Sequence, residues 1–202
     1  MNDIIEIENI IPVDYQNHLL DLMTSFNFPW VFNPNMVSGD ECFLNNKDNH
    51  AGFNHFFFEQ NEKTSQYFDL VYPLVLSITS RANVPFNRLI RMRANLTLSN
   101  PNSSLNWHMP HIDSYFPHYN AIYYVNDSDG DTVIFNEVNE DYDSGNKDIQ
   151  AIKENNFTIK HIVTPKKGKI LIFPGKYYHT SSYAKESKYR MVININLGKV
   201  LL

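Results

Sequence analysis

A single cysteine, Cys42, stands in a chain of 202 residues, which excludes a disulfide framework and a cysteine-ligated zinc site. No apolar run approaches the ~18–20 residues that a membrane-crossing helix needs, so no membrane partner is expected. Positive charge is also scarce. Lys and Arg number 17 against 22 Asp and Glu, the formal charge is −5, and no basic tract exceeds the pair Lys166–Lys167. A nucleic-acid partner therefore has no electrostatic support. The start, MNDIIEIENIIPVD, carries acids among its apolar residues and lacks the basic region of a secretory signal. A cytoplasmic setting is the expectation. Internal repeats and long Pro/Gly/Ser linkers are missing too, so residues 1–202 are read as one domain, with its oligomeric state left open.

What is present suffices for a core: 43% of the residues are hydrophobic and 14% aromatic. Asp14 is placed as the cap of a helix carrying Tyr15, Leu19, Leu22, Met23 and Phe26 on one face. A second helical pattern runs over 64–81 with Tyr67, Leu70, Val71, Leu74 and Ile78 in phase, and Pro73 is expected to kink it. Beyond Pro85 the texture becomes that of strands. These are 91–98 (RMRANLTL), 120–125 (NAIYYV), 132–135, 157–163, 169–173 and 190–197 (RMVININL), separated by Gly, Pro, Asn and Asp. The acidic stretch 137–148 reads as a solvated loop. The predicted fold is mainly β with N-terminal helices: residues 1–87 a helical support, and 88–202 an antiparallel sandwich or barrel.

The stretch WHMPHID, residues 107–113, raises the question of chemistry. A His-x-Asp triplet should arise by composition alone in roughly one of two such chains, so it needs support from elsewhere. An oxygen-activating ferrous site uses two imidazoles and one carboxylate on one octahedral face. His111 and Asp113 stand at i and i+2, which share a face in extended chain, whereas His108 and Asp113 do not. A third ligand must come from far along the chain, and His179 in YYHTSS is the candidate. Arg190 opens the strand that follows; its guanidinium suits a two-pronged grip on a carboxylate.

With these residues together, the chain resembles the iron(II)/2-oxoglutarate-dependent oxygenases, especially the prolyl-4-hydroxylase-like branch with its small bacterial and phage relatives. The resemblance covers residues 88–198. It rests on His111-Ile112-Asp113, AIYYVN, Gly130-Asp131-Thr132, KKGKILIFPG, His179, and Arg190 within RMVININL. It implies a double-stranded β-helix (jelly roll, cupin-like) with His111, Asp113 and His179 as Fe(II) ligands. Arg190 would pair with the distal carboxylate of 2-oxoglutarate, and Tyr124 would hydrogen-bond the same group. O2 is the implied co-substrate, succinate and CO2 the products, and ascorbate an optional reductant. Relatives that halogenate replace the carboxylate ligand by a small residue, so Asp113 implies hydroxylation. Asp129-Gly130 stands where the family often has Gly-Gly, and the loop 137–156 is long; both leave the metal site intact and the substrate open. A small molecule or a peptide, such as a prolyl residue, fits that expectation.

Neighbouring residues complete the reading. Val192, Asn194 and Asn196 share the Arg190 face by alternation. Asn194 is assigned to the co-substrate pocket and Asn196 to the substrate side. Asn95 joins the substrate side, and Arg91, Arg93 and Thr97 share its face. His108 is placed at the pocket rim, towards substrate. His118 reads as a loop residue and His161 as surface, while His18, His50 and His55 fall outside the barrel, with 50–55 a candidate lid. Two other functions compete: a jelly-roll binding protein that keeps the metal without turnover, and a cupin-type iron enzyme that does not use 2-oxoglutarate. Arg190 and Tyr124 discriminate, because the latter has no use for a carboxylate clamp.

Overall fold

The computed structural model describes residues 3–34, 36, 51–103, 106–142 and 157–198. Cys42, His50 and the stretch 143–156, with the second half of the expected acidic loop, lie outside the described residues. In chain order the elements are β1 (Ile5–Ile7), α1 (Val13–Thr24), β2 (Val31–Asn33), β3 (Gly52–Glu59), β4 (Glu62–Lys63), α2 (Phe68–Val71), α3 (Pro73–Arg81), β5 (Arg88–Leu98), β6 (His118–Tyr124), β7 (Thr132–Val138), β8 (Ile159–Val163), β9 (Ile170–Pro174), β10 (Tyr177–Ser181) and β11 (Tyr189–Gly198).

An eight-stranded sheet runs in the order β1-β9-β6-β11-β5-β3-β2, with β4 paired to β3, and a three-stranded sheet runs β10-β7-β8. Two antiparallel bridges, Trp107–Ser182 and His111–His179, lay the 107–111 segment along the free edge of β10. The chain passes back and forth between the sheets, with β6 in the large one, β7 and β8 in the small one, β9 in the large one, β10 in the small one and β11 in the large one. This is the double-stranded β-helix. The helices cover the outer face of the large sheet. Leu19 and Met23 of α1 and Leu74, Val75 and Ile78 of α3 share one apolar core with Met92, Ala94, Ala121, Tyr123, Met191, Ile193, Ile195 and Leu197. Burial of each large apolar side chain contributes roughly 1.5–3 kcal/mol. A second core, with Ile122, Tyr124, Ile134, Leu171, Phe173 and Val192, fills the space between the sheets.

The N-terminal part is less helical than expected. β1 extends the large sheet through β9, and β3 pairs with β5, so residues before 88 supply strands as well as helices. The aromatic run of β3, GFNHFFFE, has no clean period and so hid its strand character. The pattern over 64–81 is divided into α2 and α3, with Pro73 at the first position of α3, where its missing N–H is harmless. Asp14 is not a cap: Pro12 occupies that position without any side-chain bond, and Asp14 sits in the first turn, near the positive end of the helix dipole. Phe26 leaves the predicted apolar face because α1 ends at Thr24, and it is fully exposed.

Leu19→Ala is therefore expected to cost about 2–5 kcal/mol in urea unfolding, whereas Phe26→Ser should stay within about 0.5 kcal/mol of the parent. Equal effects would contradict this packing.

Candidate functional site

β11 is buried on both faces, and its alternation divides its labour. Met191, Ile193, Ile195 and Leu197 join the core under the helices, while Arg190, Val192 and Asn194 line a cavity between the sheets. Pairing with β5 sets Thr97 opposite Arg190, Asn95 opposite Val192, Arg93 opposite Asn194 and Arg91 opposite Asn196. The resulting cavity holds about 590 Å³ out to its solvent-filled mouth, and His111, Thr132 and His179 form its other wall.

His111 and His179 face one another across an antiparallel pair whose two backbone N–H···O bonds are both 3.0 Å. Their rings lie 4.7 Å apart. Each Nδ1 engages a carbonyl two residues back, His111 that of Met109 at 3.1 Å and His179 that of Tyr177 at 3.3 Å. This fixes the tautomer with Nδ1 protonated and turns both Nε2 lone pairs inward. Burial, then the neighbouring His179, pushes His111 down to about 4, so its ring is neutral at neutral pH. Asp113 completes the group: one ligand atom from each of the three residues lies within 4.8 Å of the others. Its Oδ2 is 3.5 Å from His179 Nε2. Such a set of two imidazoles and one carboxylate fits a divalent transition metal.

Asp113 is almost sealed, its side chain 3% exposed, and a buried carboxylate needs partners. Arg91 donates to Oδ1 at 3.0 Å, and the amides of Asn194 and Asn196 donate to Oδ2 at 2.9 and 3.3 Å. Asn196 also accepts from Arg91 Nε at 3.0 Å and donates to Asn120 at 2.7 Å. Burial alone would raise the acid, but the adjacent His179 ring and the charge of Arg91 outweigh it and hold it well below the usual carboxylate range.

At the other end of the cavity Arg190 is buried, with 6% of its surface exposed. One guanidinium nitrogen donates to Thr132 Oγ1 at 2.8 Å, and Nε has no acceptor. Tyr124 lies beneath the guanidinium, its ring centre 5.7 Å from Cζ, and its hydroxyl donates to the same Thr132 oxygen at 2.8 Å. Burial pushes Tyr124 up to about 12, so it remains a donor. With both lone pairs of Thr132 occupied, its own hydroxyl hydrogen is free to point into the cavity it lines. The approach to β11 is clamped by Asp129, which accepts the backbone N–H groups of Lys185, Glu186 and Ser187 at 2.8, 2.9 and 2.9 Å. Against the raising effect of burial, these bonds hold its carboxyl far below the ordinary range. Gly130 follows because a Cβ there would come within 3.1 Å of Arg190 Cδ.

Of the residues singled out from the sequence, His108, His111, His179, Arg190, Asn194 and Asn95 line the cavity. Asn196 does not. Instead of meeting substrate it sits behind Asp113, because its register opposite Arg91 and Asn120 commits its amide to them. Asn194 faces the cavity but gives its amide N–H to Asp113. Tyr124 is turned inward yet reaches the cavity only through Thr132. His108 packs at a tilt against Tyr183, ring centres 3.8 Å apart. His118 is buried at the start of β6 rather than in a loop, and His161 pairs with Glu6 on the surface. His55 packs among Phe28, Phe57 and Tyr67 and is no part of a lid. His179, expected after a strand, lies within β10, and the 111–113 segment makes a single bridge instead of a strand. Arg91 and Thr132 went unassigned; the Gly130-Asp131-Thr132 segment was the signal for Thr132, whereas Arg91 had only its parity with Arg93.

No family model matches the chain, and no curated protein matches its sequence. Solved structures do. A prolyl-4-hydroxylase from Pseudomonas putida superposes with a TM-score of 0.55 at 13% identity over 98% of this chain and 94% of that one. A prolyl hydroxylase from Trichoplax adhaerens, in complex with a hypoxia inducible factor peptide fragment, gives 0.64 at 14% identity over 98% and 84%. HygX from Streptomyces hygroscopicus, with nickel, 2-oxoglutarate and hygromycin B bound, gives 0.61 at 11% identity over 99% and 84%. The fold is that of the 2-oxoglutarate/iron(II) oxygenases. Within that fold, no helix among the described residues is long and apolar enough to cross a membrane.

If the His-Asp-His group holds a divalent metal, Co(II) added to the apoprotein should give a stoichiometric visible spectrum. His179→Ala should weaken binding by at least about 100-fold, since a primary ligand contributes more than the 10–100-fold of an outer partner such as Asn194. Equal Co(II) affinity in His179→Ala and the parent would refute the assignment.

Proposed function

We propose that the chain is an Fe(II)- and 2-oxoglutarate-dependent dioxygenase, acting as one domain, that hydroxylates an organic substrate and releases succinate and CO2. One observation carries the reading. A buried guanidinium with no carboxylate partner among the described residues shares a cavity with a two-histidine, one-carboxylate group. A metal-binding module or a cupin-type iron enzyme needs the second feature only. Burying an unpaired cation is costly, and a diacid with one end on Arg190 and the other at the metal would remove that cost.

When bound, the ferrous ion with 2-oxoglutarate and O2 supplies the oxidising power that turns a C–H bond into C–OH. His111 and His179 would present Nε2 to the metal, and Asp113 an ionised oxygen that Arg91, Asn194 and Asn196 keep from swinging away. Arg190 grips the distal carboxylate of the co-substrate, with Thr132 adding a hydroxyl donor and Tyr124 holding Thr132 in place. Val192 and Ile122 give the wall between the two ends an apolar surface that excludes water. The cytoplasm is the setting this reading takes, and O2 and an optional reductant such as ascorbate accompany it.

Anaerobic Fe(II) with 2-oxoglutarate should give the weak visible charge-transfer band of the chelate, and admitting O2 should release succinate. Arg190→Ala should weaken 2-oxoglutarate by about 10–100-fold, and Thr132→Val by about 2–10-fold. No band in the parent, or unchanged 2-oxoglutarate affinity in Arg190→Ala, would overturn the assignment.

A further inference from the structure

Among the described residues, Arg190 is not alone in facing the cavity without an ion-pair partner. Arg93 makes no hydrogen bond or ion pair with any described residue, and its Nε is sealed from solvent without an acceptor. Its support is the face of Phe56, ring centre 5.6 Å from Cζ. Burial and then the charge of Arg91 draw it down to about 10, while Asp113 and Glu59 act on it only through their fields. At neutral pH it is still a cation. Arg91, two residues away, is fully engaged by Asp113 and Asn196, so the two side chains have different work.

Charge and position both narrow what Arg93 can take. Arg91 and Arg93 share one buried carboxylate, Asp113, while the acid whose field reaches Arg190 at the far end is Asp131, which forms no ion pair with it. A divalent metal and a dicarboxylate cancel one another, so loading the site as proposed above leaves the excess of guanidinium in place. Register sets Arg190 opposite Thr97 and Arg93 opposite Asn194, four residues further on and ~13 Å along the strands. Asn194 is the residue that holds Asp113. Arg93 is therefore level with the metal ligands, at the opposite end of the cavity from the Arg190 clamp. A co-substrate spanning from Arg190 to the metal does not use it. Beside it, Asn95 lines the same wall with a buried Oδ1 that has no donor.

We propose that the substrate is a small molecule bearing a free carboxylate, an amino or organic acid, and that Arg93 binds this carboxylate while Asn95 Oδ1 accepts from a donor group elsewhere on the substrate. The assignment rests on the oxygenase reading of the His-Asp-His and Arg190 site. The planar fork of a guanidinium matches one carboxylate, and a phosphate dianion would call for a second cation, which Arg91 cannot be while it holds Asp113. A residue inside a peptide carries its carboxyl as an amide and offers Arg93 no charge.

The test uses the protein loaded with Fe(II) and 2-oxoglutarate under nitrogen. Free L-amino acids and short aliphatic carboxylic acids, each beside its carboxamide, are titrated while the chelate band and the thermal midpoint are followed. At least one acid is expected to bind about 30-fold more tightly than its amide. Arg93→Gln should bring that acid to the level of its amide, Arg93→Lys should recover part of the difference, and 2-oxoglutarate affinity should change by less than about three-fold in both. The retained band shows that the variants are folded. No acid binding more tightly than its amide overturns the proposal, as does Arg93→Gln weakening 2-oxoglutarate as much as the acid. Absence of the band in the parent overturns the oxygenase reading as well.

Discussion

The reciprocal backbone pair between His111 and His179 is the constraint on which the site depends. It joins a segment that is otherwise loop to the edge of the small sheet, and it sets two imidazoles face to face without help from their own side chains. Because each ring also anchors Nδ1 on its own backbone, neither can rotate to offer the wrong nitrogen. Asp113 then needs only to be held at the right distance, and that task falls to the large sheet. The His-Asp-His group is thus held between the two sheets, with its geometry inherited from pairings in both.

Among the described residues, the buried polar groups left without partners gather mainly in one place. Arg93 Nε, Asn95 Oδ1, Thr180 Oγ1, Arg190 Nε and Asn194 Oδ1 are buried without partners, and all five residues line the same cavity. Folding ordinarily avoids such groups, since each costs about 1–3 kcal/mol. Their concentration here means that fold stability is traded for preorganised donors and acceptors that a ligand completes. The apolar cores on either side of β11 supply the surplus that makes this tolerable.

Much of this could be read along the chain, and the parts that could not share a cause. Strands with clean alternation, such as those around 91–98 and 190–197, announced both their existence and their inward faces. The triplet His111-x-Asp113 and the distant His179 and Arg190 came from residue type and order. By contrast, the duties of Asn196 and Arg91 depend on which residue of β5, β6 and β11 stands opposite which, a property of three strands that no single segment carries. β10 was hidden because Tyr-Tyr-His-Thr-Ser after Pro-Gly looks like the continuation of a turn. Asp129 in place of a glycine had seemed a departure without a role, and its clamp on 185–187 explains it only once that loop is folded beside it.

The two-sided burial of β11 has an effect on error. A strand with one solvated face can slip by a residue and lose part of its packing; here such a slip would drive Arg190, Asn194 and Asn196 into the apolar layer beneath the helices. It would also turn Met191, Ile193 and Ile195 towards His111, Asp113 and His179. A misregistered chain would therefore lose its site and its stability together, so that any folded molecule is one with its donors correctly aimed. In this barrel, proofreading of the active centre is done by the oil on its other side.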